Sequence, residues 1–302
     1  MELRQLKYFT TTAEFLNFSE AARALNITQS TLSQQIATLE GELGVKLFER
    51  TRHSMTLTDI GKAFLPSALR TIHDAESCID RIHDVLGLEE GEINIGTTYT
   101  FSPLLRETVL DFMRKHPKIK LNIYCKSMEE LLDLLIHRKI DVALSYKPMN
   151  LCRSIESHIL FDSSLCVAVG REHPLAAQRS VTFRDVERFP VCLPAKGMQA
   201  RNTLDRILET ANHTSLDVRL EINDINILLD LVAKSNLLTF LSQATLIDHP
   251  EIAGVPISGV EASMQGSFHI IKDSYIKTAT RHFLKSLCEN KSFSMAMLSF
   301  LN

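Results

Sequence analysis

The stretch FSEAARALNITQSTLSQQIATLEGEL, residues 18–43, decides how the N-terminal part of this chain is read. Ser19 stands as an N-cap before Glu20-Ala-Ala-Arg-Ala-Leu25, a run so rich in alanine that a neighbouring helix can approach closely. Asn26-Ile27-Thr28 supplies a three-residue turn. From Gln29 to about Leu43 a second helix is predicted, with Leu32, Ile36, Leu39 and Leu43 stacked on one side. Its other side, Gln29, Ser30, Thr31, Ser33, Gln34 and Thr38, carries amides and hydroxyls and no charge. A solvent-facing helix is ordinarily studded with Lys and Glu, whereas hydroxyls and amides suit the donor–acceptor pattern of base edges. Two helices across a tight turn, the second with such a face, predict a helix-turn-helix. Periodicity alone fits an ordinary three-helix subdomain equally well.

Outward from that stretch, Leu3, Leu6, Phe9 and Ala13 recur at three- and four-residue steps and predict a helix with one apolar stripe. On the other side, Leu47 to Thr58 reads as a short hairpin with Arg50, Arg52 and His53 near its tip. A basic wing beside a recognition helix can bridge to phosphates, which position a protein on a duplex without reading sequence.

In one pattern, LxxF…FxxAAxxLxxxQSTLSxQIxxLExxLGxxLFERTxxxxxLTxxG runs in register from Leu6 to Gly61. On these residues the chain resembles the N-terminal winged helix of the LysR-type transcriptional regulators. The likeness extends more loosely over nearly the whole length. It implies a bacterial regulator, not an enzyme, that binds double-stranded promoter DNA and responds to a small-molecule effector. It also implies self-association as a homodimer and tetramer, action in the cytoplasm, and no cofactor. Gln34 stands where many relatives carry Arg, and His53-Ser54 where they carry a basic residue and Gly.

Composition agrees with a globular chain. Of 302 residues 45% are apolar and 23% charged, and the formal charge is −3, so no global excess of base points to a polyanion. Residues 1–88 hold nine Lys and Arg against eleven Asp and Glu, so any nucleic-acid argument rests on local geometry. No apolar run approaches the roughly 18–20 residues of a membrane span, and the charged, polar N-terminus is unlike a signal peptide. The six Cys (78, 125, 152, 166, 192 and 288) form no CxxC pair, which predicts reduced, mostly buried thiols in a cytoplasm. The eleven His show no metal-ligand spacing, and no nucleophile elbow, phosphate loop or GxGxxG fingerprint occurs.

After Leu57, Thr58 caps a long helix with Asp59 in its first turn. Leu65, Ala68, Ile72, Ala75, Ile79, Ile82 and Leu86 alternate three- and four-residue steps, the seam of a short dimeric coiled coil. A single amphipathic helix packed on its own domain is the alternative. Pro66 lies near the start, as a bend rather than an end. Gly87 to Gly91 then reads as a hinge.

From residue 92 strand-like and helix-like segments alternate, so an α/β domain with a mostly parallel sheet is predicted. Ser102 is placed as N-cap and Pro103 at N1 of one helix, and Ser127-Met-Glu-Glu130 as the capping box of the next. The order resembles a two-lobed periplasmic-binding-protein-like domain. The expected organisation is a winged helix-turn-helix over 1–58, a linker helix over 59–88 and an effector domain over 89–302. Its first lobe would hold 89–162 and 267–302, its second 163–266. Residues 291–302 read as an extra docking helix or a frayed tail.

A ligand in such a domain belongs where strand ends and helix N-termini converge between the lobes. Thr98, Thr100 and Ser102 lie at such a point, and free N–H groups with the helix dipole favour an anion there. The resemblance adds Ser145 and the 196–201 loop, where Lys196, Gln199 and Arg201 can supply charge or hydrogen bonds, with Lys147 at the rim. A peroxide-sensing branch of the family has its reactive Cys on that loop. Gln199 takes that place here, and a thiol-based redox sensor on the same scaffold is the alternative reading.

Overall fold

The first helix, α1 (Leu3–Phe15), opens with a capping box between Glu2 and Gln5 and ends where Leu16 turns left-handed at φ 47°. The structure is a computed structural model, which describes residues 1–50, 54–86, 90–148, 150, 152–211 and 216–290. The chain splits into two compact units, the first Met1–Leu88 with Ile136–Arg138, the second Glu89–Leu135 with Lys139–Asn302.

In the first unit α2 (Phe18–Ala24) starts earlier than expected. Its N-cap is Asn17, whose side chain accepts from the N–H groups of Ser19 (2.9 Å) and Glu20 (3.2 Å), not Ser19. Asn and Ser are equally good caps, so adjacent candidates are separable only by their surroundings. Asn26 takes φ 54° in the turn, and Thr28 Oγ1 caps α3 (Gln29–Leu43) by accepting from Thr31 N. Gly44, at φ 69°, ends α3. The strands β1 (Phe48–Arg50) and β2 (Met55–Leu57) pair antiparallel, Phe48 opposite Leu57. The hairpin tip, residues 51–53, lies outside the described residues, and Arg52 and His53 with it. Leu6, Phe9, Leu32, Ile36, Leu39, Leu47 and Phe48 make the core. Phe9 lies between Phe48 (ring centroids 5.5 Å apart) and Phe64 (5.2 Å).

The helix α4 (Asp59–Val85) is capped by Thr58 and continues through Pro66. Gly61 is required by close approach, since a Cβ there would stand 2.2 Å from the backbone oxygen of Leu47. The heptad seam divides along its length. Ala68 is buried, and Leu65 and Ile72 pack on the core of their own winged domain, whereas Ile79 and Ile82 are 57% exposed. The first half of the seam therefore serves its own domain, and the second half is left open.

The second unit is one nine-stranded sheet whose two halves are joined by shared strands. On one side β3 (Gly91–Thr97) runs parallel to β4 (Ile119–Cys125) and β5 (Val142–Tyr146). Their crossovers are α5 (Ser102–Lys115) and α6 (Met128–Ile136). On the other, β7 (Val191–Pro194) runs parallel to β8 (Val218–Ile222) and β9 (Leu238–Ser242), with α8 (Gln199–Ala211) and α9 (Ile225–Ala233) between them, after the short α7 (Phe183–Val186). β6 (Ile155–Gly170) and β11 (Ser263–Ile271) pass through both halves, and β10 (Ile252–Pro256) pairs with the far end of β6. α10 (Thr278–Cys288) packs with α5. Sequence reading picks out only the apolar run Leu165–Val169 of β6, because Glu156–Asp162 is exposed or half-buried and mixes polar and apolar side chains without strict alternation. β10 carried no period it could use. At the passage between halves the register of β11 slips between Gly266 and Ser267, and Phe161 lies where a side chain on Gly266 would be, 2.2 Å from its Cβ position.

Candidate functional site

The outward side of α3 follows from its inward one. Leu32, Ile36 and Leu39 are buried, so Gln29, Ser30, Thr31, Gln34 and Thr38 are exposed and Ser33 is half-buried. Hydrogen bonds sort these groups by freedom. Thr28 Oγ1 lies 2.9 Å from Ser30 Oγ and 2.8 Å from Thr31 Oγ1, Thr38 donates to the Gln34 carbonyl, and Gln29 Oε1 accepts from Ser19 Oγ at 3.0 Å. The side chain of Gln34 has no such bond among the described residues and faces solvent.

Arg50 lies back on this face rather than at a tip. Its guanidinium sits 4.1 Å above the Phe18 ring and reaches Ser33 Oγ at 3.4 Å. The wing is anchored by Glu40, an α3 residue only 5% exposed. Glu40 Oε1 accepts from the N–H of Leu47 (2.9 Å) and of Phe48 (3.3 Å), and Oε2 lies 2.6 Å from Lys46 Nζ. Burial alone would raise its pKa, but the Lys46 ammonium and the two N–H groups hold the carboxyl below the usual range. Sequence reading missed Glu40, which looks like any charge on a surface helix.

In the second unit a cavity of about 540 Å³ opens between the halves of the sheet, at the C-terminal ends of β3, β4, β7 and β8. Of the expected residues it is lined by Thr98, Thr100, Lys196 and Gln199. Thr98 Oγ1 is buried with no hydrogen-bond partner among the described residues, while Thr100 Oγ1 lies 2.9 Å from Thr245 Oγ1. The other four expected residues are not in its lining. Ser102 is the first residue of α5, not its N-cap, because a 3-10 turn over Tyr99–Phe101 leads into the helix. Ser145 is fully buried and donates to the Tyr146 carbonyl, and Lys147 is exposed just past the end of β5. The Arg201 guanidinium is held by Asp205 (2.8 Å), Glu221 (3.0 Å) and the Pro194 carbonyl (3.2 Å). Burial opposes its charge, but those two carboxylates push its pKa up. Its guanidinium is thus engaged by its own domain and does not line the cavity.

The cavity also takes residues that sequence reading did not single out. Tyr99 donates to Asn226 Oδ1 at 2.9 Å and lies 3.1 Å from His249 Nε2, whose Nδ1 faces Glu251 at 3.0 Å. Burial, and then Asp248 and Asp224, push the Tyr99 phenol up. Tyr146, fully buried, donates to Ser242 Oγ, which lies 2.8 Å from Ser163 Oγ. Asp224 caps α9 and lines the cavity; an Asp directly before the helical run at Ile225 was a signal available in sequence. Burial pushes the Cys166 thiol up to about 12, and it also raises Cys192 and Cys125, the last with help from Asp224. Gln199 opens α8. Among the described residues no cluster of three or more His, Cys, Asp or Glu could hold a metal, and no helix is long and apolar enough to cross a membrane.

Comparison with known proteins agrees with both halves of this geometry. Residues 3–62 match the family "Bacterial regulatory helix-turn-helix protein, lysR family", and residues 86–291 match the "LysR substrate binding domain". The uncharacterized regulator YybE of Bacillus subtilis is 32% identical, over 70% of this chain and 73% of that protein. The transcriptional dual regulator GltC of the same organism is 32% identical, over 82% and 83%. Among solved structures, a full-length OxyR point variant from Pseudomonas aeruginosa superposes with a TM-score of 0.69 at 20% identity, over 96% of this chain and 94% of that one. Full-length CbnR complexed with its target DNA gives 0.59 at 23% identity, over 95% and 99%.

Proposed function

The chain belongs to the lysR family of bacterial helix-turn-helix regulators, and on that footing we propose that it grips promoter DNA as a homo-oligomer and answers to a small acidic molecule held in its cleft. It is a LysR-type transcriptional regulator with a DNA-binding and a substrate-binding domain. In this reading Gln29, Ser30, Thr31, Ser33 and Gln34 face base edges, while Arg50, Arg52 and His53 meet phosphates. The observation that carries it is the α3 face, where an uncommitted Gln34 amide stands outward on a helix fixed by a closed aromatic core. Action would be in the cytoplasm, where the DNA is, and by binding rather than catalysis.

Self-association is supported by apolar surface in two places. Ile79 and Ile82, with Val85 and Leu86 at 86% and 65% exposure, leave the second half of the α4 seam without cover in one copy. In the effector domain the two end strands of the sheet, β4 and β8, expose Ile123, Tyr124, Val218 and Leu220. Unpaired sheet edges with apolar side chains are surfaces that a second pair of chains can cover, as a tetramer needs.

The effector would touch Thr98, Thr100, Lys196 and Gln199, with the α8 N-terminus favouring an acidic group. Reversible binding rather than thiol oxidation is supported by Gln199 at the opening of α8 and, at Cys166 and Cys192, by burial that disfavours the thiolate. The test is fluorescence anisotropy with a duplex from the chain's own upstream region and with random duplex. Gln34→Ala is expected to cost about 1–3 kcal/mol on the specific duplex and almost nothing on the random one. Equal losses on both would remove Gln34 from base readout.

A further inference from the structure

An acidic ligand would satisfy only half of the charge the cleft presents, and we propose that the ligand is an α-amino acid, bound as its zwitterion between Lys196 and Asp224. The inference rests on the cleft being the effector site and deepens that reading. Among the described residues four charged side chains line the cavity, Lys126, Glu130, Lys196 and Asp224. Lys126 Nζ lies 3.0 Å from Glu130 Oε1, and Glu130 also accepts from Ser127. That pair is closed on itself. Lys196 has no ion-pair partner among the described residues. Asp224 spends Oδ1 on the N–H groups of Asn226 (2.8 Å) and Ile227 (3.2 Å), which leaves Oδ2 uncommitted. One cation and one carboxylate therefore remain for the ligand.

Their placement favours a zwitterion. β7 and β8 run parallel, Pro194 pairs with Ile222, and Ala195 N donates to the Ile222 carbonyl at 2.9 Å. Lys196 and Asp224 each stand two residues beyond that pair, at the same end of neighbouring strands, and both line the cavity. A small ligand that carries both an ammonium and a carboxylate answers both, whereas a dianion or a simple carboxylate leaves Asp224 facing it. The field of Asp224 reaches into the cavity, since it helps to raise both the Tyr99 phenol and the Cys125 thiol, after burial. On the Lys196 side the first turn of α8 presents N–H groups that no preceding helical carbonyl can accept. The buried, unpartnered Thr98 hydroxyl belongs to the same cavity. Met128, Met198 and Ile225 leave apolar room for a side chain.

The test uses the full-length protein with calorimetry and thermal shift. The probes are the twenty common L-α-amino acids, their N-acetyl derivatives, and the matching carboxylic acids that lack the amine. At least one amino acid is expected to bind, and its N-acetyl derivative at least tenfold more weakly. Asp224→Asn keeps the α9 cap, because Asn caps as well as Asp, and removes the charge. This variant is expected to weaken the amino acid at least tenfold and not to weaken the amine-free acid. Lys196→Gln is expected to weaken both. Failure of every amino acid to bind, or wild-type affinity in Asp224→Asn, would overturn the proposal. If amine-free acids bind instead and Lys196→Gln weakens them, the zwitterion falls and the cleft stands. If a ligand binds and neither Thr98→Val nor Lys196→Gln alters it, the cleft reading falls as well.

Discussion

Replacing Glu40 tests whether the wing is held to the recognition helix by one buried carboxylate. Glu40→Ala removes the acceptor of two N–H groups, those of Leu47, which is fully buried, and Phe48, at 4% exposure. A buried donor left unpaired costs about 1–3 kcal/mol. The Lys46 side chain is 73% exposed, so its ion pair adds no more than about 1 kcal/mol. Because the Phe48 bond is long at 3.3 Å, a total of about 2–4 kcal/mol is expected. That corresponds to a roughly 30- to 700-fold fall in protection, at about 1.4 kcal/mol per tenfold. The assay is amide hydrogen exchange at Leu47 and Phe48, with the buried β9 in the other unit as internal reference. Glu40→Gln keeps one oxygen and should lose about tenfold or less. The pH dependence has a definite sign. The folded pKa lies below the unfolded one, so the contribution is complete above the unfolded value of about 4.3 and is lost as pH falls through the folded value. Protection in the wild type should fall in acid through that window, and the Gln variant should lack the step. Protection in Glu40→Ala within twofold of wild type would refute the account.

Three further outcomes follow from the same geometry. Ile82→Glu should leave the winged domain folded, since Ile82 is exposed in one copy, yet shift sedimentation toward monomer and weaken operator binding; an unchanged oligomer would move the interface to the sheet edges. Thr98→Val removes a buried hydroxyl without a partner among the described residues, so thermal stability should hold or rise by up to about 1 kcal/mol while a reporter loses its effector response; retained induction would exclude Thr98 from the site. Gly266→Ala would drive a methyl into Phe161 and should lower the melting temperature of the full chain, whereas an unchanged melt would mean that the ring can step aside.

What could be read from the sequence and what could not divide along one physical line. The α3 face, the Thr58 cap and the Ser127–Glu130 capping box each rest on a short run of chain, with successive residues no more than four positions apart, and all three stand in the structure. Local grammar failed where two signals competed. Asn17 and Ser19 are both good caps, and Ser102-Pro103 hid a 3-10 turn one step upstream. It failed more deeply over which polar groups are free. Arg201 and Lys196 stand five positions apart, yet Arg201 is claimed by Glu221 twenty positions on, while Lys196 meets no carboxylate among the described residues. Thr98 and Thr100 look alike, but Thr245 takes one of them. Glu40 and the α4 seam make the same point in the first unit, since the charge is claimed by the wing and half of the seam by its own core. A binding site is made of the groups that folding leaves unclaimed. Candidates can therefore be named from sequence, but the choice among them needs partners that lie far along the chain.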